Sequence, residues 1–236
     1  MAGSTHDGRR AAILAIDCAT TQIVVASGSS AGRIDGLTTW AGGYRHGETL
    51  LPTIGRFLSE QNLRRSRLIG IVVGTGPGAF TGLRVGLATA KGLAHGLGLP
   101  LVGVSTAEVL LRAAAAATAD VATEGTPVLL LPAGPADRIV VRPGRSPKLL
   151  PAGMDPELDA GEWLVAIDLD GRADPVALER GEAARAGLGA ALIALGSARL
   201  AAGDVDDLAR LVPEYVTLPR GVTTVDGEVS WSHDRR

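Results

Sequence analysis

Apolar residues fall into two rhythms along this chain. Short unbroken apolar runs at 11–16, 23–27, 68–73 and 101–104 predict buried strands, and 33–39 predicts a further strand after the Gly28–Gly32 turn. Residues 48–60 instead place Leu50, Leu51, Ile54, Phe57 and Leu58 on one helical stripe, with Pro52 tolerable only in the first turn. Two more helices are predicted over 83–97 and 106–118, the second capped by Ser105 or Thr106. The first half thus spells β-β-β-α-β-α-β-α. The second half predicts strands at 128–131, 139–142 and 163–167, a loop over 143–161, a helix over 182–200, and a short helix over 204–211 ended by Pro213. Residues 1–10 and 217–236 are polar and predict disordered ends.

One segment stands outside both rhythms. Gly74-Thr75-Gly76-Pro77-Gly78-Ala79-Phe80-Thr81-Gly82 joins a predicted strand to a predicted helix. Glycines there permit positive φ and close backbone approach, Pro77 stiffens the turn, and Thr81 is a candidate N-cap. Such a turn aims backbone N–H groups at a ligand, or it packs a helix tightly on a sheet; local spacing leaves both open. The loop lacks the Gly-Lys-Ser/Thr ending of a Walker loop, and its glycine spacing is not that of a dinucleotide-binding turn.

Composition narrows the picture. The 236 residues suit one large domain or two small lobes. Hydrophobic residues make up 46% but aromatics only 3%, so the core rests on Ala, Leu, Val and Ile and packs closely. A net charge of −2 gives no basic footprint for binding nucleic acid alone, and 64–67 reads as a solvated basic turn. One cysteine, Cys18, excludes an internal disulfide and fits a reducing cytoplasm. No apolar signal region opens the chain, and no run spans a membrane, so a cytoplasmic location is expected.

Several blocks taken in order carry a resemblance. Ile13-Leu14-Ala15-Ile16-Asp17-Cys18-Ala19-Thr20-Thr21, His46-Gly47-Glu48-Thr49-Leu50-Leu51-Pro52, the stretch 74–92, Gly103-Val104-Ser105-Thr106 and the ending Pro213-Glu214-Tyr215-Val216 together resemble the bacterial TsaB (YeaZ) family. The resemblance covers the first half, whereas 120–200 matches poorly. It implies an α/β, two-lobed actin-like fold of the sugar-kinase and Hsp70 superfamily with a truncated or divergent second lobe. The implied division is a leader at 1–10, a first lobe at 11–105, a second lobe at 106–216 whose C-terminal helices pack back on the first, and a tail at 217–236.

The resemblance further implies a non-catalytic, scaffolding subunit of the complex that installs threonylcarbamoyl on adenosine 37 of tRNAs reading codons that begin with A. The implied partners are the catalytic paralogue TsaD, the ATPase TsaE, a second copy of the chain when alone, and tRNA only through the complex. A separate synthase would supply threonylcarbamoyl-adenylate. No cofactor is implied. The catalytic paralogue carries a His-x-x-x-His metal pair after its Gly-Val; on the matching register this chain has Thr106 and Leu110, neither an adequate metal ligand. The four histidines, His6, His46, His95 and His233, are scattered, and Glu108 alone is a helix-surface charge. An actin-like kinase or a metalloprotease acting alone is the enzymatic rival, and a homodimeric module outside tRNA modification a third reading.

Single residues are weighed the same way. Asp17 closes the first strand, where actin-like kinases place a magnesium-linked aspartate before a glycine-containing turn. Here the turn is Cys18-Ala19-Thr20-Thr21, which favours a structural role for Asp17 in bonding the turn. Cys18, without a histidine near in sequence, is expected to be inert. His46 suits a helix start or contact surface. Arg84, sharing a face with Lys91, suits either an anion or a neighbouring carboxylate. The region 130–140, including Asp137-Arg138, lacks the family's aromatic residue and carries two prolines. By the family's helix pairing, the partner interface is expected to draw on His46, Leu50, Leu51, Ile54, Gly82, Arg84, Val85, Gly86, Thr89, Ala90 and Leu93. No catalytic, cofactor-binding or metal residue is assigned.

Overall fold

A computed structural model describes residues 11–43, 46–118, 125–216, 222–225 and 228–231. The predicted leader at 1–10 lies outside the described residues.

The first sheet grows from the opening apolar runs. β1 (Ala12–Asp17), β2 (Gln22–Ser29) and β3 (Ile34–Ala41) form two successive hairpins, and β4 (Leu68–Gly74) and β5 (Leu101–Val104) join in parallel, giving the order β3-β2-β1-β4-β5. β1, β2 and β4 are apolar on both faces because both are covered. Leu14, Ile16, Ile23, Val25, Ile71 and Val73 face α1 (His46–Glu60) and α2 (Phe80–Leu97), while Ile13, Ala15, Val24, Ala26 and Val72 face α3 (Thr106–Ala117) and α4 (Pro175–Ala201). Pro52 sits in the second turn of α1, since the helix begins at His46. Burial of Leu50, Ile54, Phe57 and Leu58 holds the helix together past it.

A second sheet repeats the same opening. β6 (Thr126–Ala133), β7 (Asp137–Val141) and β8 (Lys148–Leu150) form a meander, and β9 (Glu162–Ala166) returns parallel to β6, giving β8-β7-β6-β9. A loop replaces the helix that links β3 to β4 in the first sheet, and no fifth strand follows. β8 lies inside the segment predicted as loop. Pro132 does not break β6, and it lies beyond Leu130, where pairing with β9 ends. This is an α/β architecture of two mixed sheets, the second with one strand fewer than the first.

α4 starts seven residues before its predicted start. Asp174 accepts from the Val176 and Ala177 N–H groups, and Pro175 occupies the first turn. Its 27 residues touch all five strands of the first sheet and β9 of the other. Glycines mark the crossings: a Cβ at Gly181 would lie 1.9 Å from the Ala166 carbonyl oxygen, and one at Gly196 would lie 2.2 Å from Val72.

The helix predicted over 204–211 is replaced by turns. This segment seals the outer edge of β5. The Asp206 N–H donates to Leu101 O at 2.8 Å, its carboxylate accepts from the Gly103 N–H at 2.8 Å, and Arg199 bonds Gly103 O, Asp204 and Asp206. Bonding to a strand edge takes the backbone groups a helix would have used. The end of the chain also departs from expectation: β10 (Val222–Val225) and β11 (Glu228–Trp231) pair as an antiparallel ribbon. Their β-branched residues around Asp226-Gly227 are the sequence signal for it. No helix among the described residues is long and apolar enough to cross a membrane.

α2 begins at Phe80 with Ala79 at its N-cap, so Thr81 is inside the helix and does not cap it. The first turn lies directly on the β1–β2 turn. A Cβ at Gly78 would fall 2.1 Å from the Ala19 carbonyl oxygen, and one at Gly82 2.0 Å from that of Cys18. Gly92, on the opposite face, has open space. Gly82→Val is expected to cost more than about 3 kcal/mol, because the obstructing atom is backbone. Gly92→Ala is expected to stabilise by about 0.5–1 kcal/mol. Urea unfolding of both variants measures the contrast.

Candidate functional site

The two sheets face each other across a cavity of about 370 Å³. Its walls are the β1–β2 turn (Ala19, Thr21), the glycine-rich loop (Pro77, Gly78), the β6–β7 hairpin (Leu131, Gly134), Asp168 after β9, and the chain end (Glu214, Tyr215, Val216). The turn and loop meet there because the glycines let backbone approach backbone. The Ala79 N–H donates to Ala19 O at 2.7 Å.

Asp17 lies at the base of this region, fully buried. One carboxylate oxygen accepts from the Ala19 N–H at 2.9 Å and the other from the Thr106 hydroxyl at 2.6 Å. Thr106 Oγ1 in turn accepts from the Gly76 N–H at 3.1 Å. The carboxylate therefore ties together β1, its following turn, the glycine-rich loop and the start of α3. Gly74 is required beside it, since a Cβ there would fall 1.7 Å from Asp17 Oδ2. Burial pushes the Asp17 pKa up to about 6, against the two hydrogen bonds that pull it down. The structural role favoured for Asp17 is what this bonding provides.

Cys18 is buried, and burial together with the Asp17 charge holds its thiol far above the usual range, so it carries no nucleophile at neutral pH. Leu110 is fully buried in the core between the sheets. Neither it nor the engaged Thr106 hydroxyl suits a metal. Among the described residues no three His, Cys, Asp or Glu side chains converge as a metal site would require.

Ser105, at the N-cap position of α3, makes no capping bond. Its hydroxyl lies 3.1 Å from both Gly76 O and Glu214 Oε2. Glu214 is half-buried, and desolvation raises its pKa despite the Ser105 bond. Its N–H donates to Thr75 O at 2.8 Å, which anchors the chain end along the loop.

Arg84 is engaged within the chain itself. Its guanidinium stacks on the Phe80 ring at 3.7 Å, and its Nε donates to the Tyr215 hydroxyl at 3.0 Å. Phe80 and Tyr215 meet at 5.1 Å between ring centroids. This cluster clips the segment around Tyr215 over α2. Asp137 and Arg138 serve the second lobe. Asp137 accepts from the Ala152 N–H, and Arg138 bonds the Arg172 and Met154 carbonyls and Asp155.

Residues foreseen for a partner surface divide by burial. Leu50, Ile54, Gly82, Gly86 and Ala90 are buried against the chain's own sheet and β1–β2 turn, so they present no side chain outward. The glycines at 82 and 86 are small because Cys18 lies against them. Leu51 and Arg84 are exposed, and Val85, Thr89, Lys91 and Leu93 are partly exposed. His46 starts α1. Glu108 and His95 are exposed and stand apart from the cleft wall. His6 and His233 lie outside the described residues.

Sequence reasoning missed one constellation. Asp168, with φ at +57°, turns its carboxylate back across the cleft. One oxygen accepts from the Thr21 N–H at 2.7 Å, and the other from the Thr21 hydroxyl at 2.5 Å and from Arg185 of α4 at 2.9 Å. The Asp168-Leu169-Asp170-Gly171 run after a strand was the available signal, but a lone aspartate in a turn names no partner.

Comparison with known proteins bears on the same half of the chain. Residues 41–145 match the family described as "TsaD: tRNA N6-adenosine threonylcarbamoyltransferase". An uncharacterized protein of Mycobacterium leprae is 45% identical over 65 residues, 28% of this chain and 18% of that protein. A Haemophilus influenzae protein named "tRNA threonylcarbamoyladenosine biosynthesis protein TsaB" is 38% identical over 69 residues, 29% of each chain. The chain thus matches less than a third of the length of these relatives. The solved structure "YeaZ from Pseudomonas aeruginosa" has the same fold, with a TM-score of 0.65 over 87% of this chain and all of that one, at 22% identity.

The Asp17 carboxyl sets a measurable pH dependence. With a folded pKa of about 6 against 3.8 for a free aspartate side chain, the folded chain holds a proton between these values that the unfolded chain has lost. Stability from this group therefore falls as pH rises from about 4 to about 6, by about 3 kcal/mol in all, and is flat above. In Asp17→Asn that descending component is expected to vanish. Urea unfolding at intervals from pH 4 to 7, wild type against variant, reads the difference.

Proposed function

We propose that the chain, which resembles the TsaB (YeaZ) family, is a non-catalytic subunit in the formation of threonylcarbamoyladenosine in tRNA. It acts by pairing with a TsaD-like catalytic paralogue, helps recruit a TsaE-like ATPase, and meets tRNA only within that complex. Alone it pairs with a second copy through the same face.

The observation that carries this reading is the chemistry at two positions of α3. Where the resemblance places a metal-binding histidine pair, Thr106 spends its hydroxyl on Asp17 and Leu110 is buried in the core. Both side chains are structural, and neither is poised toward substrate. On this reading the catalyst is supplied by a partner.

The outward faces of α1 and α2 support pairing. α1 presents Gly47, Leu51 and Gly55, and α2 presents Ala88, Gly92 and Gly96, all exposed. A Cβ at any of the four glycines would meet nothing within 4 Å. Each glycine inside a helix costs up to about 1 kcal/mol relative to alanine, a cost without return in the isolated chain but useful where another helix lies close.

Leu51→Glu combined with Ala88→Arg changes only exposed positions, so the fold is expected to survive with Tm nearly unchanged. Light scattering after co-expression with the TsaD-like paralogue of the same genome is expected to show a heterodimer for wild type and separate chains for the double variant. Transfer of threonylcarbamoyl to tRNA is expected only when both proteins are present and paired. Modification of tRNA by the isolated chain, or a folded wild type that ignores the paralogue, would overturn the reading.

A further inference from the structure

The Thr21–Asp168–Arg185 constellation has the donor set of an oxyanion site with the anion supplied by the chain itself. A backbone N–H, a hydroxyl and a guanidinium converge on one carboxylate at 2.7, 2.5 and 2.9 Å. Arg185 also reaches the Thr21 hydroxyl oxygen at 3.3 Å, which fixes the hydroxyl's direction. The Asp168 and Arg185 side chains are only 9% and 13% exposed, so their charge-assisted ion pair is largely shielded from water, while Thr21 itself lies at the exposed edge of the site. Glu182 lies 3.5 Å from the same guanidinium but is itself exposed and reaches Arg185 from its own helix. The donors come from separate elements: Thr21 from the first-sheet hairpin, Arg185 from α4.

Two features mark Asp168 as an inserted ligand. It holds a left-handed φ of +57°, which a non-glycine residue adopts at a steric cost that its bonds offset. Both Thr21 and Asp168 line the cavity between the sheets, so the bonds close that cavity from within.

We propose that Thr21 and Arg185 form a latent oxyanion site in the cleft, filled by Asp168, which thereby latches the second lobe to the β1–β2 turn. An intramolecular carboxylate competes at an effective concentration of about millimolar or more, so a free tetrahedral oxyanion at cellular concentration does not displace it. The ligand class that fits once Asp168 is removed is a small inorganic oxyanion such as phosphate, whose oxygens take the place of the two carboxylate oxygens.

The test uses the full chain and inorganic phosphate. In Asp168→Ala, calorimetry is expected to detect phosphate binding that wild type lacks, and the further change Arg185→Gln is expected to weaken it at least tenfold. Hydrogen exchange of the Thr21 amide is expected to quicken at least tenfold in Asp168→Ala and to slow again on adding phosphate. The wild type provides a reading independent of any variant's folding: its Thr21 amide is expected to be protected. Phosphate bound equally by wild type, a Thr21 amide unprotected in wild type, or a folded Asp168→Ala with neither phosphate binding nor faster exchange would each overturn the proposal.

Discussion

Contact between bare backbones at the head of α2 governs this molecule. The first turn of the helix rests on the carbonyl groups of Cys18 and Ala19, with glycine at 78 and 82 because no Cβ fits. This approach sets how deeply α2 enters the fold and brings the glycine-rich loop beside Asp17. It also places Phe80 and Arg84 where Tyr215 can reach them. A loop that resembles a ligand cradle is thus occupied by the protein's own turn. Of the two readings open from its spacing, tight packing of a helix on a sheet is the one its contacts express.

The same economy runs through the cleft. Asp17 gives its oxygens to Thr106 and Ala19, Glu214 faces Ser105, and Asp168 fills the donors of Thr21 and Arg185. These carboxylates of the cleft all find their partners within the chain. Chemistry of this kind holds a shape.

The first sheet was legible because its strands are continuous apolar runs with both faces covered, and the helices between them have clear stripes. Each of the predicted elements in that half appears within a few residues. The second half was harder for physical reasons. β8 is short and mostly exposed, so it leaves no periodic trace. α4 is small and apolar nearly all round because it lies between other elements, which hid its start, although Asp174-Pro175 marked it. Segment 204–211 has a helical pattern, but its aspartates and backbone serve the edge of β5. At the site, Asp17 and Cys18 were readable from local sequence. Arg84 and Asp168 were not, because their partners Tyr215 and Thr21 lie 131 and 147 residues away.

The reach of α4 has a consequence for how such a chain can vary. One helix packs against all five strands of the first sheet and β9 of the second, so a change on its inner face disturbs both lobes at once. The stretch from 143 to 161 is mostly exposed and answers chiefly to the Arg138 and Arg142 clips. Apart from the positive-φ glycines Gly144, Gly153 and Gly161, substitutions at its exposed positions stay within about 0.5 kcal/mol, the ordinary tolerance of surface positions. Sequence is therefore free to drift in the second lobe while the architecture stays fixed, and family likeness fades from the letters of that region long before it fades from the fold.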